Sequence, residues 1–181
     1  MKQLNQKPKM TFLLVLYLMP VYALADQHPV LFEGAVVSWN TASVPVDLDG
    51  GVSFTYAAEG GAKLIVEGLA TARFNMLCVG GEKFDQGDDY LDYEKGNYFD
   101  AYSNCQLLEP DGDQILMQTT AIENQDFYYT ITAGTGKWKG VKGKLELKLT
   151  FLNTKKTPHH APTNQFYGTY YLDGKGSVTL P

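Results

Sequence analysis

This sequence predicts an all-β domain, a closed barrel or a sandwich, and three observations carry that expectation. No segment sustains a helical period beyond a turn or two. Short runs in which apolar and polar residues alternate recur along the chain. Between them stand clusters of Gly, Pro, Asn and Asp, the residues that turn a backbone.

The first 25 residues read differently from the rest. MKQLNQKPKM carries Lys2, Lys7 and Lys9 and no acid, and TFLLVLYLMPVYALA follows it as the apolar core of a secretory leader. Ala23 and Ala25 are the small residues that a signal peptidase accepts, which places the cut before Asp26. Pro20 interrupts the run, and 11–25 is shorter than the roughly 20 residues that cross a bilayer, so a membrane anchor is disfavoured. The expectation is a leader over 1–25 and one domain over 26–181, in the periplasm or the extracellular medium. That length suits a single core.

Losing the leader leaves 12 Lys and Arg against 20 Asp and Glu, a net charge of −8, with Arg73 as the only arginine. So acidic a chain repels phosphate backbones and excludes nucleic acid as a partner. Both cysteines, Cys78 and Cys105, fall in the exported part, where a disulfide is the natural state. Neither has the nearby Cys or His that a metal site requires.

Taken in order, the expected strands are VLFEGAVVSW (30–39), GVSFTYAA (51–58), KLIVEG (63–68) and ATARFNML (70–77), then FDAYSNCQLL (99–108), QILMQTTA (114–121), FYYTITA (127–133), KLELKLTF (144–151) and QFYGTYYL (165–172). KLELKLTF alternates most cleanly. Leu145, Leu147, Leu149 and Phe151 share one face, and Lys144, Glu146, Lys148 and Thr150 the other. Turns are expected at DLDGG (47–51), EGG (59–61), PDGD (110–113), GTG (134–136) and PHHAPTN (158–164). In PDGD, Pro110 presets the φ of a turn and Asp111-Gly112 supports a tight hairpin. The polar stretch 80–97 reads as a long loop, with room for a helical turn around 88–94.

ITAGTGKWKGVKG (131–143) asks whether it cradles a phosphate. A Walker loop needs GxxxxGK followed by Ser or Thr, and Trp138 stands there instead. Gly134, Gly136 and Gly140 miss the GxGxxG spacing by one residue, and a strand follows rather than a helix. No nucleotide cofactor is expected. The structural reading is a corner: Gly134, Gly136, Gly140 and Gly143 relieve crowding while Trp138 plugs one end of the core.

QDFYYTITAGTGKWKGVKGKLELKL also resembles the signature of the allene oxide cyclase-like barrels: a strand ending in Ile-Thr, Gly-x-Gly, an aromatic, Gly, and a further Gly opening the next strand. PDGDQILMQ and QFYGTYYLDG are similar in character and order, so the likeness spans roughly 111–174. Plant dirigent proteins and small exported bacterial proteins share a related Gly-Thr-Gly-Lys-aromatic element. The resemblance implies an antiparallel closed barrel of eight strands with an apolar cavity, often assembled into homo-oligomers. Glu33, Asn40 and Glu67 in the early half match no motif of the family, so no catalytic residue carries over.

Candidate side chains weigh as follows. Glu67 and Arg73 are expected on the outer face, and His28 in a mobile terminus. His159 and His160 are adjacent and would face opposite ways on a strand, so no metal site is expected. Asp85, Asp88, Asp89, Asp92 and Glu94 lack calcium-loop spacing. No serine sits in a nucleophile motif. The aromatic stripes Phe54/Tyr56, Phe127/Tyr129 and Phe166/Tyr170, with Leu147, are either core or the lining of a pocket whose phenols hold a ligand's polar end. Three functions remain open: an exported barrel binding a small apolar or aromatic molecule, a structural module with a filled barrel, and an isomerase resembling the allene oxide cyclases. The last needs an inward ionisable group, and strand parity at this level supplies none.

Overall fold

Each alternating run finds its partner in the next, so the chain closes on itself strand by strand. The structure, a computed structural model, describes residues 26–45, 52–84, 98–121, 127–155 and 167–180. Eight strands follow in order: β1 (Gln27–Pro45), β2 (Val52–Val66), β3 (Ala70–Phe84), β4 (Tyr98–Leu108), β5 (Gln114–Ala121), β6 (Phe127–Gly134), β7 (Lys142–Lys155) and β8 (Tyr167–Thr179). Every strand pairs antiparallel with its sequence neighbours, and β8 returns to pair with β1. The result is a closed up-and-down barrel. Closure removes the unpaired edge that an open sheet would expose.

Alternation sends one set of side chains to the axis. Phe32, Leu64, Met76, Leu107, Ile115, Ile131, Leu145 and Leu172 are fully buried there. Burial of each such side chain stabilises the fold by roughly 1.5–3 kcal/mol. On β7, Leu145 and Leu147 are buried while Lys144, Glu146 and Lys148 are exposed, as their parity requires.

Several expectations are corrected. The runs 51–58 and 63–68 are one strand, β2, and EGG does not turn. Gly60 serves close approach instead: a Cβ there would stand 2.0 Å from the Ala35 carbonyl oxygen on β1. That merger into β2 turns nine expected strands into eight, and the stretch 80–84 is not loop but the end of β3. His28 lies within β1, opposite Val178 on β8, rather than in a loose terminus. The turns 47–51 and 158–164, the proposed helical turn at 88–94, the acids at 85–94 and His159 and His160 lie outside the described residues.

Where turns are described they match their residues. Gly112 N–H donates to the Glu109 carbonyl at 3.0 Å and Glu109 N–H to the Asp113 carbonyl at 2.8 Å, with Gly112 at φ +94°. That is a turn closed by a left-handed glycine, the ordinary way to end a short hairpin. Cys78 and Cys105 face each other across the β3–β4 ladder and form a disulfide, with Cα atoms 4.1 Å apart. With its ends separated by 27 positions in sequence, the bridge is worth roughly 3–4 kcal/mol on a loop-entropy account.

Candidate functional site

The up-and-down topology puts the β2–β3, β4–β5 and β6–β7 connections at one end of the barrel and the other four at the opposite end. The two ends have different chemistry.

The first end is plugged. β6 runs into Thr135 and a single 3-10 turn, Gly136–Trp138, which folds Trp138 over the core. Trp138 is buried against Phe74, ring centroids 6.0 Å apart. Its Nε1–H donates to Glu109 Oε2 at 2.6 Å, which satisfies a buried donor and a buried carboxylate together. Lys137 Nζ lies 2.9 Å from Glu109 Oε2 and 3.0 Å from Asp111 Oδ2, and its backbone N–H donates to Asp113 Oδ2. Glu109, Asp111 and Asp113 thus converge closely enough to hold a cation, and the Lys137 ammonium is that cation. Hydrogen bonding to Lys137 lowers the Asp111 pKa, and hydrogen bonds from Lys137 to Glu109 and Asp111 raise its own. Gly136 and Gly140 sit at φ +52° and +86°, where a side chain is strained. Gly134 and Gly143 are held by crowding: a Cβ on Gly134 would stand 2.3 Å from the Trp138 carbonyl oxygen, and one on Gly143 2.3 Å from that of Ser177. The glycine loop is a corner, with Trp138 as its plug.

Toward the opposite end the interior turns polar. A row of directly paired residues crosses five strands on the inner face: Tyr56, Gly80, Ser103, Thr119 and Tyr129. Ser103 hydrogen-bonds with both Tyr56 and Tyr129, and Ser38 with Tyr170. Glu82 is buried within electrostatic reach of all three phenols. Thr119 Oγ1 is buried with no hydrogen-bond partner. Ser103 Oγ also lies 3.4 Å from Cys105 Sγ, so the disulfide forms part of the wall. Burial, first, and then neighbouring phenols and Glu82 push the Tyr56 and Tyr129 pKa values well up. Tyr170 rises to about 12, again chiefly through burial. The phenols therefore stay protonated and act as neutral donors and acceptors.

Phe54, Tyr56, Tyr129, Leu147 and Tyr170 all face the interior, as expected. Phe127 pairs with Leu147 by register, but its side chain and all of Phe166 lie outside the described residues. The space these groups leave is small. Tyr56, Glu82, Ser103, Tyr129, Leu149 and Tyr170 border a void of about 20 Å³, room for about one water. Leu147 does not border it; Leu149 does. A larger concavity of about 780 Å³ is an open groove on the outer face, between Leu31, Ile65 and Tyr128, and shares none of the polar tier's residues.

Glu82, Ser38, Ser103 and Thr119 had no place among the expected site residues. The signal for Glu82 was present: Ala72, Phe74, Met76 and Cys78 alternate inward, and the same parity continues to Gly80 and Glu82. Glu67 and Arg73 are exposed, as expected.

Fold and interior together define a class, an eight-stranded up-and-down barrel plugged at one end by tryptophan and lined toward the other by phenols and a carboxylate. Compared with known proteins, the chain matches no family model and no curated protein. No helix among the described residues is long and apolar enough to cross a membrane.

Proposed function

We propose that the chain is an exported barrel, allene oxide cyclase-like in its architecture, that binds a small molecule by its polar end. The observation that carries this reading is the polar tier. A barrel built only for stability fills its axis with apolar side chains, because each buried hydroxyl or carboxylate costs free energy unless fully paired. Here three phenols, three aliphatic hydroxyls and a carboxylate are gathered at one level, and one of the hydroxyls is unpartnered. The disulfide suits export. The void of about 20 Å³ has the size of a single polar head group.

The same small void favours a second reading, a filled structural barrel. Titration with an apolar fluorescent probe and a panel of small aromatics separates the two. Saturable one-to-one binding, abolished by Leu149→Trp with the fold intact, is expected for the binding protein. A probe-blind parent in which Leu149→Trp costs about 1–3 kcal/mol by overpacking would leave the structural barrel. An isomerase resembling the allene oxide cyclases would use Glu82 as its ionisable group, and turnover lost in Glu82→Gln would support it.

A further inference from the structure

We propose that the outer wall of β1–β4 is the surface by which the barrel pairs with a second copy of itself. The observation behind it is an inversion of that wall's chemistry. An antiparallel wall that faces water carries polar and charged side chains outward. β7 and β8 obey this rule, with Lys144, Glu146, Lys148, Asp173 and Lys175 exposed. β1, β3 and β4 break it: Val37, Leu77, Val79 and Tyr102 point outward and are 44%, 46%, 52% and 49% exposed. Clustered apolar groups on an outer surface mark a contact site.

Register gathers these side chains. Val37 pairs with Glu59 and Glu59 with Leu77, while Trp39 pairs with Ala57 and Ala57 with Val79. Tyr102 stands on β4 opposite Gly81, two residues along β3 from Val79. The middle of the patch is β2, whose outward Ala57 and Gly61 are small, and a Cβ added at Gly61 would meet nothing within 4 Å. Apolar ridges on β1 and β3 thus flank a shallow trough, which opens beside Gly61 into a concavity of about 330 Å³. A ridge beside a trough is complementary to itself, as a two-fold contact requires.

Charge and size commit the face to a second copy. Over 35–39, 55–61, 75–79 and 102–108 the only charged residue is Glu59. In a chain of net charge −5, two copies repel in most orientations, and here they meet with few like charges. An unlike partner is ordinarily selected by complementary charge, of which this face offers almost none. Four strands about 4.8 Å apart and four outward rows about 6.6 Å apart make roughly 500 Å² in projection, and more once relief is counted. That approaches the roughly 800 Å² each partner gives a stable complex.

The test is sedimentation velocity of the purified full chain over a range of about 1 to 100 μM, where a dimer with a micromolar Kd is expected. Leu77→Asp should raise that Kd at least about 10-fold, with thermal melts unchanged because the position is exposed. Val79→Lys should do the same and serves where Leu77→Asp does not fold. Leu31→Asp, at an equally exposed position lower on β1 and outside the patch, should alter the Kd by less than about threefold. A dimer that Leu31→Asp dissolves and Leu77→Asp leaves intact would overturn the proposal, as would a monomer at every concentration. Flotation of that monomer with phosphatidylcholine vesicles would give the face to a membrane surface instead. A monomer whose Tyr102 resists nitration would instead place the chain's own residues over the face.

Discussion

Gly80 and Tyr56 face each other across the β2–β3 ladder, and a Cβ on the glycine would stand 2.7 Å from the tyrosine's hydroxyl oxygen. The missing side chain is the space through which the phenol passes over β3 to reach Ser103 on β4. The same Cβ would lie 2.3 Å from the Tyr102 carbonyl oxygen, so backbone crowds it from the other strand too. Gly80→Ala is therefore expected to destabilise the barrel by about 1–3 kcal/mol, the usual cost of overpacking. Urea melts measure it, and a variant as stable as its parent would refute the packing described for this row.

The plug makes its own prediction. Glu109→Ala leaves the Trp138 indole N–H buried without an acceptor. A loss of about 1–3 kcal/mol is expected, with a red-shifted tryptophan emission as the ring loosens. Lys137→Met should cost less, because that side chain is half exposed and its pairs are screened by water. Equal losses in the two variants would contradict the plug as described.

Positive φ marks two glycines of the corner, Gly136 at +52° and Gly140 at +86°. Alanine at either should destabilise by about 1 kcal/mol or more. Gly136→Ala should be the worse, since its Cβ would fall within 1.6 Å of Asp113 Oδ1, on the carboxylate whose Oδ2 accepts the Lys137 backbone N–H. Thermal melts that rank Gly140→Ala as the more damaging would argue against the crowding described at Gly136.

Alkaline pH gives a prediction with a definite sign. Tyr56, Tyr129 and Tyr170 have folded pKa values raised above the ordinary 10.0, Tyr170 to about 12, mainly by burial. The unfolded chain releases those protons first, so it binds fewer of them than the folded chain above pH 10. Their contribution is fully present below pH 10 and is lost as pH climbs toward the folded values. Absorbance titration should show a late phenolate phase that coincides with unfolding and shrinks in Tyr129→Phe. A phase of full size in that variant would place Tyr129 in water.

Export and the disulfide are checked by one measurement. The purified exported protein should begin at Asp26 and weigh two hydrogens less than its sequence, and reduction should lower stability by about 3–4 kcal/mol. Two thiols that alkylate without reduction, or a retained leader, would contradict it.

Legibility in the sequence followed local physics. KLELKLTF displays its inner and outer faces because β7 sits between solvent and core with no interruption. PDGD and the 134–143 corner were readable because left-handed backbone demands glycine there. Gly60, Gly80 and Gly81 misled for a related reason. They are glycines for close approach between neighbouring strands, which looks like a turn signal until the partner strand is known. Reading 80–84 as loop then hid Glu82, a buried carboxylate of the polar tier. The convergence of Ser38, Ser103 and Thr119 depends on register across several strands, and register leaves no mark in a single sequence.

β1 begins where β8 finishes: Gln27 lies opposite Thr179, and its side-chain amide donates to Ser177 Oγ at 2.6 Å. The seam of the barrel is thus only one hydrogen-bonded ladder among eight, distinguished from the others by lacking a covalent turn. A short linker could supply that turn, and the chain could then be opened at the exposed 67–69 turn without removing any strand. Such a circular permutant would keep both the plug and the polar tier, while β2 and β3 would become the last and first strands to be synthesised.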